Sequence, residues 1–482
     1  MALFEHLRSA VYARCMSTYI WRVRRSSVRV SCVRSASTFT DPQLPDFKNP
    51  EWLKQHFTSH IDFHQRHGID PRGGYFQHLA ASGSVVDDAS RSIVSTTRGI
   101  LLFGYAAQLY RKGWGNAEQA DRACEACAHG LQFLEKYFKQ REDKGGGYVW
   151  ELQMSTDGNV TIMDDTRHCY GAAFVHAALA SAHAAGVCNL QLLENSWTLL
   201  ETNFWRTTDS LYVDEISGSD WTTVDDYRGA NANMHMTEAM LVAYEATGDS
   251  KYLDRALLLA RRLCVDLSPG EGLVWEHYDS KWQHDWNYNL ANDPHHLFRP
   301  WGYLPGHLVE WSKLLMIINR HIVQRKWVTE YPRPPDKEWL VPTAKVLFKT
   351  AMQVSWDVSG GGGMFYTCDR NLKIFDDDKY MWPHAEAIGS AYLLAQHCSD
   401  TDEATFYMAW YDKVWAYSWR YLVDAPGAGR DTGGQAGWFG VLSNDNELKA
   451  NLDYGGTGTL KSWFSDYHSQ GAVYEVLRNM PH

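Results

Sequence analysis

Between Asp249 and Asp266 the apolar residues Leu253, Ala256, Leu257, Ala260 and Leu263 recur at helical spacing, while Arg255, Arg261 and Arg262 take the other face. That pattern predicts a helix packed on one side and wet on the other. Asn49–Ile69 reads the same way, with Pro50 just inside its start. Further helices are predicted over Arg98–Leu109, Ala117–Phe138 and Thr166–Ala185. Between them lie turn-forming residues followed by short aromatic runs. These are Gly73-Gly74-Tyr75-Phe76, Gly146-Gly147-Tyr148-Val149-Trp150, Ser210-Leu211-Tyr212-Val213, Gly272-Leu273-Val274-Trp275, Gly363-Met364-Phe365-Tyr366 and Gly437-Trp438-Phe439. Their anchors fall at 74, 147, 210, 272, 363 and 437, spaced 62 to 91 residues apart. The longest interval holds Arg320–Leu340, rich in proline and charge, which reads as an inserted loop at about 320–340.

Each interval has room for two helices, one after the hairpin and one before the next. Internal repeats of this length mean stacked supersecondary units. Six units, from Asn49 to the helix after Tyr467, give twelve helices. The expected fold is all-α, an (α/α)6 barrel with short β-hairpins at one end and inner helices lining a funnel. The alternative is an open helical solenoid; gathering the glycine–aromatic hairpins at one end favours closure.

Residues 1–40 stand apart. The first 37 contain seven arginines (Arg8, Arg14, Arg22, Arg24, Arg25, Arg29 and Arg34) and one acid, Glu5. That is the composition of an organellar transit peptide, without the apolar middle of a secretory signal. The expected destination is a mitochondrion or another organelle, and the cytoplasm if the leader is not genuine. Residues 41–482 form a single barrel domain in this reading. The net charge of −11 becomes about −17 once the leader is removed, so nucleic acid is not an expected partner. No apolar run is long enough for a membrane span. Nine cysteines are scattered, and the one CxxC, Cys124 and Cys127, lies in a helical pattern with no second pair at zinc spacing. The 21 tryptophans and 26 tyrosines suit a sugar-binding cleft as well as a large aromatic core.

Polar residues recur where each inner helix would begin. The first helix offers Arg98, the second His168 and Tyr170, and the third Asn231, His235 and Glu238. The fourth offers Arg299, His307 and Glu310, the fifth Trp382, His384 and Glu386, and the sixth Asp466-Tyr467-His468. In a closed ring these converge on one cavity. Imidazole, with an unperturbed pKa of about 6.5, takes and returns protons near neutrality. His307 and Glu310 sit at i and i+3, on one helix face, so Glu310 could hold one tautomer of the His307 ring. Arg98 and Arg299 could hold hydroxyl oxygens or an anionic group, and Trp382 could stack on a sugar ring. Two of the histidines have plain structural readings: His384 packed beside Pro383, and His168 bonded to Asp164 and Asp165.

The chain resembles the N-acylglucosamine 2-epimerase superfamily over most of its length after residue 49. The motifs are Asn231-Ala-Asn-Met-His235-Met-Thr-Glu238-Ala, Arg299-Pro-Trp-Gly-Tyr-Leu-Pro-Gly-His307-Leu-Val-Glu310-Trp, Trp382-Pro-His-Ala-Glu386-Ala and Asp466-Tyr-His468. The Arg-Pro-Trp-Gly lead and the tryptophan after Glu310 are closer to the mannose isomerase branch, while Trp382-Pro-His384 is closer to the 2-epimerase branch. The resemblance implies proton transfer on a free monosaccharide without metal or cofactor. It implies that His307 and His468 are the acid/base pair and that His235 and Glu310 support ring opening and proton shuttling. Arg98, Tyr170, Asn231, Arg299, Trp382 and Glu386 are then expected to hold substrate, in a monomer or homodimer. Aldose–ketose isomerisation is the first expectation and 2-epimerisation the second. A glycoside hydrolase on the same barrel would need two carboxylates, with Glu310 and Glu386 as its candidate pair. A non-catalytic sugar- or protein-binding module would not need both His307 and His468.

Overall fold

The computed structural model describes residues 43–480 apart from 219, 325–336, 360, 431–436, 452–455 and 458–462. The arginine-rich leader lies outside the described residues. Twelve α-helices follow in order among those described: α1 Pro50–His67, α2 Ile93–Leu109, α3 Ala117–Phe133, α4 Cys169–Ala184, α5 Leu190–Leu199, α6 Ala230–Thr247, α7 Ser250–Arg261, α8 Pro305–Gln324, α9 Leu340–Ser355, α10 Met381–His397, α11 Thr401–Tyr421 and α12 Trp463–Leu477. The even-numbered helices form the inner ring. Each touches the next in chain order, and α12 packs on both α10 and α2, so the ring closes and the solenoid alternative falls. The odd-numbered helices lie outside.

The two rings differ as their sequences require. Outer α7 buries Tyr252, Leu253, Ala256, Leu259 and Ala260 and leaves its other face wet. Inner α10 is buried around its whole circumference, polar His384, Glu386 and Ser390 included. Five of the six outer helices start with side-chain caps, α9 being the exception. Asn49 accepts from Glu51 and Trp52, Asn116 forms a capping box with Gln119, and Asp249 and Asp400 cap α7 and α11. Outer α3, α5 and α7 finish in a π-helical turn, which carries them to Phe138, Phe204 and Asp266. The expected spans 117–138 and 249–266 thus hold.

Inner helices start differently. The first N–H of α2, α4, α6 and α10 donates to a backbone carbonyl of the following unit: Ile93 to Trp150, Cys169 to Asp214, Ala230 to Glu276 and Met381 to Gly440, at 2.7–3.1 Å. Short antiparallel strands stitch the same places. Ser90–Ser92 pairs with Glu151–Met154, Arg167–His168 with Glu215–Ser217, Arg228–Gly229 with His277–Tyr278, and Lys379–Tyr380 with Val441–Leu442. Tyr303, just before α8, bridges to Cys368. Five of the six hairpins therefore hold the start of the preceding inner helix, which brings those starts to one end of the barrel. All six anchors of the sequence repeat take positive φ: Gly74, Gly147, Gly272, Gly363, Gly437 and, without glycine's freedom, Ser210 at 54°.

Three boundaries move. Thr166–His168 is loop and strand rather than the first turn of α4. The helix expected over Arg98–Leu109 begins earlier, at Ile93, capped by Ser92. α8 runs on to Gln324 and α9 begins at Leu340, so Arg320–Gln324 belongs to a helix and not to an inserted loop. The seven cysteines among the described residues are all free thiols, Cys124 and Cys127 included. No described helix is long and apolar enough to cross a membrane.

Candidate active site

The first two turns of the inner helices surround a cavity of about 470 Å³ at the hairpin end. Arg98, Tyr170, Asn231, His235, His307, Glu310, Trp382 and His468 all line it. The structure thus brings eight of the ten expected site residues to one place. The other two, Arg299 and Glu386, stand behind the wall.

His307 and His468 both pack against the Trp382 ring, with ring centroids 5.0 and 5.6 Å from it. Each imidazole is backed by a carboxylate. His468 Nδ1 donates to Glu386 Oε1 at 2.8 Å. His307 Nδ1 lies 2.9 Å from Glu276 Oε2, close but out of hydrogen-bond alignment. The expected partner of His307 was Glu310, one turn along α8. Instead Glu310 points towards His235, whose Nδ1 is 3.9 Å away, and His235 Nδ1 also reaches Glu238 Oε2 at 3.2 Å. Burial pushes His235 down to about 4, against the pull of Glu238, and pushes His468 well below the imidazole range, helped by Arg98. Both rings are neutral near pH 7 and able to accept a proton.

Glu310 is fully buried, and neither of its oxygens has a hydrogen-bond partner among the described residues. Burial and then the charge of Glu386 push its carboxyl well above the usual range, so it holds its proton. It faces the cavity as a donor. Burial raises Glu238 too, but the hydrogen bond from His235 and the charge of Lys313 outweigh this and bring it down to about 2. Lys313 Nζ, buried on α8, stands 2.5 Å from Glu386 Oε2. Burial works against its charge, but the surrounding carboxylates hold it protonated. Two sets of groups, His235–Glu238–Glu310 and Glu310–Glu386–His468, have ligand atoms within 4.8 Å of one another and could receive a metal ion. Lys313 already supplies a positive charge at that place.

On the opposite wall Arg98 donates to the Tyr170 hydroxyl at 3.0 Å and lies over the Phe174 and Tyr467 rings, at 4.4 and 4.6 Å. Asn231 donates to the Phe298 carbonyl at 3.3 Å, while its Oδ1 has no hydrogen-bond partner among the described residues. Arg299 is a clamp. Its guanidinium pairs with Glu215, donates to the Tyr288 hydroxyl at 3.1 Å and covers the Tyr227 ring at 4.0 Å. It thereby pins the segment that carries Leu297 and Phe298 into the cavity. Glu386 likewise touches His468 and Lys313 rather than the open space. His384 is structural: Nδ1 donates to Tyr380 O, Nε2 accepts from Met364 N, and the ring stacks on Tyr417 at 4.8 Å. His168 lies against Trp150 and 3.3 Å from Glu215. The side chain of Asp466 lies outside the described residues.

Sequence reasoning missed Glu276, Lys313 and Tyr366. Glu276 follows an aromatic anchor run directly, and its carbonyl holds α6 while its carboxylate reaches α8. Lys313 is a lone charge in an otherwise apolar stretch of α8, the one signal the sequence offered.

A closed double ring of helices with neutral imidazoles and a protonated carboxyl around one cavity defines an (α/α)6-barrel enzyme. Residues 74–461 match the family model of N-acylglucosamine 2-epimerase (GlcNAc 2-epimerase), and the chain belongs to that family. It is 39% identical over 440 residues to a D-mannose isomerase of Marinomonas mediterranea, across 90% of this chain and 99% of the relative. The crystal structure of a D-mannose isomerase superposes with a TM-score of 0.76 at 38% identity, covering 91% of this chain and all of the other. A cellobiose 2-epimerase of Ruminococcus albus is 22% identical over 88% of this chain and 97% of its own length.

Proposed function

We propose that this chain interconverts an aldose and its ketose, of the mannose and fructose type, by proton transfer through an enediol. The observation that carries the reading is that His307 and His468 both pack against Trp382 and line one cavity, each with a carboxylate oxygen within 3 Å of its Nδ1. The carbonyl at C1 of an open-chain aldose acidifies the C2 hydrogen. A neutral imidazole removes that proton, and its return to C1 gives the ketose. General acid/base groups of this kind contribute roughly 10²–10⁴-fold each.

The remaining groups fit the same chemistry. Glu310, protonated, donates to a sugar oxygen on which charge develops, and His235 beside it can take up or supply the proton of ring opening. Arg98 and Asn231 offer a donor and an acceptor to hydroxyl groups, and Trp382 gives the ring a flat face. The likeness to D-mannose isomerases over nearly the whole chain supports mannose as the aldose.

Epimerisation at C2 is the second reading. It is favoured by the presence of a second imidazole in the cavity wall, since returning the proton to the other face of C2 needs a base there. The hydrolase reading loses its pair, because Glu386 is committed to His468 and Lys313 and does not line the cavity. Product analysis over a panel of aldoses and N-acetylated hexosamines tests the proposal. Ketose from mannose is expected; conversion confined to N-acetylated hexosamines would overturn it.

A further inference from the structure

A buried chain of three groups runs behind the cavity wall. Lys313 Nζ, on α8, is ion-paired with Glu386 Oε2, on α10, at 2.5 Å. The other oxygen of that carboxylate, Oε1, meets His468 Nδ1, on α12, at 2.8 Å. The Lys313 and Glu386 side chains are 7% and 1% exposed. Neither lines the site cavity. Both line a second cavity, of about 500 Å³. Lys313 thus reaches the reaction only through Glu386 and His468. His307 has no comparable chain, since its Nδ1 and Glu276 are out of hydrogen-bond alignment.

The contact between Glu386 and His468 accommodates two proton counts. With one proton on the pair, it sits between Oε1 and Nδ1, and Nε2 carries a lone pair. With two, Nε2 is protonated as well, either in an imidazolium beside a carboxylate or in an imidazole that accepts from a carboxylic acid. Nε2 is then no base. The number of protons on the pair therefore decides whether His468 can act. We propose that Lys313 is a positioning residue for this proton: its ammonium keeps a second proton off the Glu386–His468 pair, so that Nε2 of His468 stays a free base. The proposal rests on the isomerase reading above, in which His468 takes the C–H proton of the sugar and the electron pair stays behind as the enediol.

Two observations support this role. Burying an ammonium is costly unless it is paired, and Lys313 stands directly before the apolar run Leu314–Ile318. A leucine or methionine would fill the place without that cost, so the charge itself is what this position adds. The second observation is the sign of each neighbour. Burial raises the Glu386 carboxyl, and Lys313 is the largest influence that opposes it, against the charge of Glu238 on α6 and with His235 of α6 behind it. Around His468, burial acts first, then Arg98 of α2, His235 and Lys313, against Glu238. Glu310, on α8 itself, is protonated and adds no charge. Lys313 acts on both members of the pair in the same direction, against the second proton.

Lys313→Met keeps the length of the side chain and removes its charge; Lys313→Arg keeps the charge. The acid limb of the kcat/KM profile is expected to move up by about 1–3 pH units in Lys313→Met. Activity should return on the alkaline side, with KM nearly unchanged there. Lys313→Arg is expected to restore the limb to near its wild-type position. An unmoved limb in folded Lys313→Met overturns the proposal, and so does a loss of kcat that is equal at every pH. The wild-type ring is read without turnover by NMR of isotope-labelled histidine near neutrality, its signal assigned by its loss in His468→Ala. A proton on Nδ1 and a bare Nε2 are expected. A proton on Nε2 overturns the proposal, whether or not Lys313→Met folds. The expected tautomer in a chain that turns over no sugar would count against the isomerase reading alone.

Discussion

His468 and Glu386 come from two different inner helices, 82 residues apart, and meet with Nδ1 donating to Oε1 at 2.8 Å. The contact fixes the ring orientation and presents Nε2 to the cavity. His307 Nδ1 also has a carboxylate oxygen close by, Glu276 Oε2 at 2.9 Å, but without hydrogen-bond alignment. Both imidazoles stand at the cavity wall, so removing either ring takes away a proton carrier and little of the core.

His307→Ala and His468→Ala are each expected to lower kcat by roughly 10²-fold or more while leaving the circular dichroism spectrum and sugar binding largely intact. A variant that keeps a tenth or more of wild-type kcat would remove that histidine from the mechanism.

Glu276→Gln keeps the shape of the side chain and removes the charge beside His307. The expected result is a fall in kcat that takes away part of the roughly 10²–10⁴-fold acid/base contribution, with KM nearly unchanged. Steady-state kinetics on the purified variant checks it. A rise in KM alone would mean that Glu276 acts on binding and not on His307.

Glu310 carries a pH signature. Burial and the charge of Glu386 raise its carboxyl above the ordinary 4.5, so the folded chain keeps a proton that the unfolded chain releases as pH passes that value. The stability tied to that proton is fully present below the unfolded value and is lost as pH rises towards the folded one. Glu310→Gln has no such proton to lose. Its melting temperature is expected to match wild type near about pH 4 and to exceed it increasingly towards about pH 8. Equal offsets at both ends would contradict a protonated Glu310.

Arg299→Ala separates a clamp from a substrate contact. Loss of the Glu215 pair and the Tyr288 bond is expected to cost about 1.5–3 kcal/mol of stability in denaturant titration. KM should rise as the segment bearing Phe298 loosens, with kcat mostly kept. A collapse of kcat at full stability would return Arg299 to the substrate.

What the sequence revealed follows from how local each feature is. The repeat was legible because each unit carries its own anchor, and the positive φ at Gly74, Ser210 and Gly272 is a local demand. The site end was legible because His235, His307 and His468 sit within the first two turns of inner helices. The partnerships were not. His307 and Glu310 share a helix face, yet the carboxylate beside His307 is Glu276, 31 positions earlier on another element. The protonation of Glu310 depends on Glu386 across the ring, and the charge of Lys313 on carboxylates from two other helices. Arg299 belongs to a motif rich in site residues, and its turn away towards Glu215 is set by a loop path that spacing does not encode.

Mannose turned over in heavy water and followed by NMR tests the central claim most directly, because isomerisation and epimerisation differ in where the second proton lands. The account predicts that fructose is formed first, with any deuterium taken from solvent at C1. Glucose formed first, deuterated at C2 and with no early ketose, would contradict it.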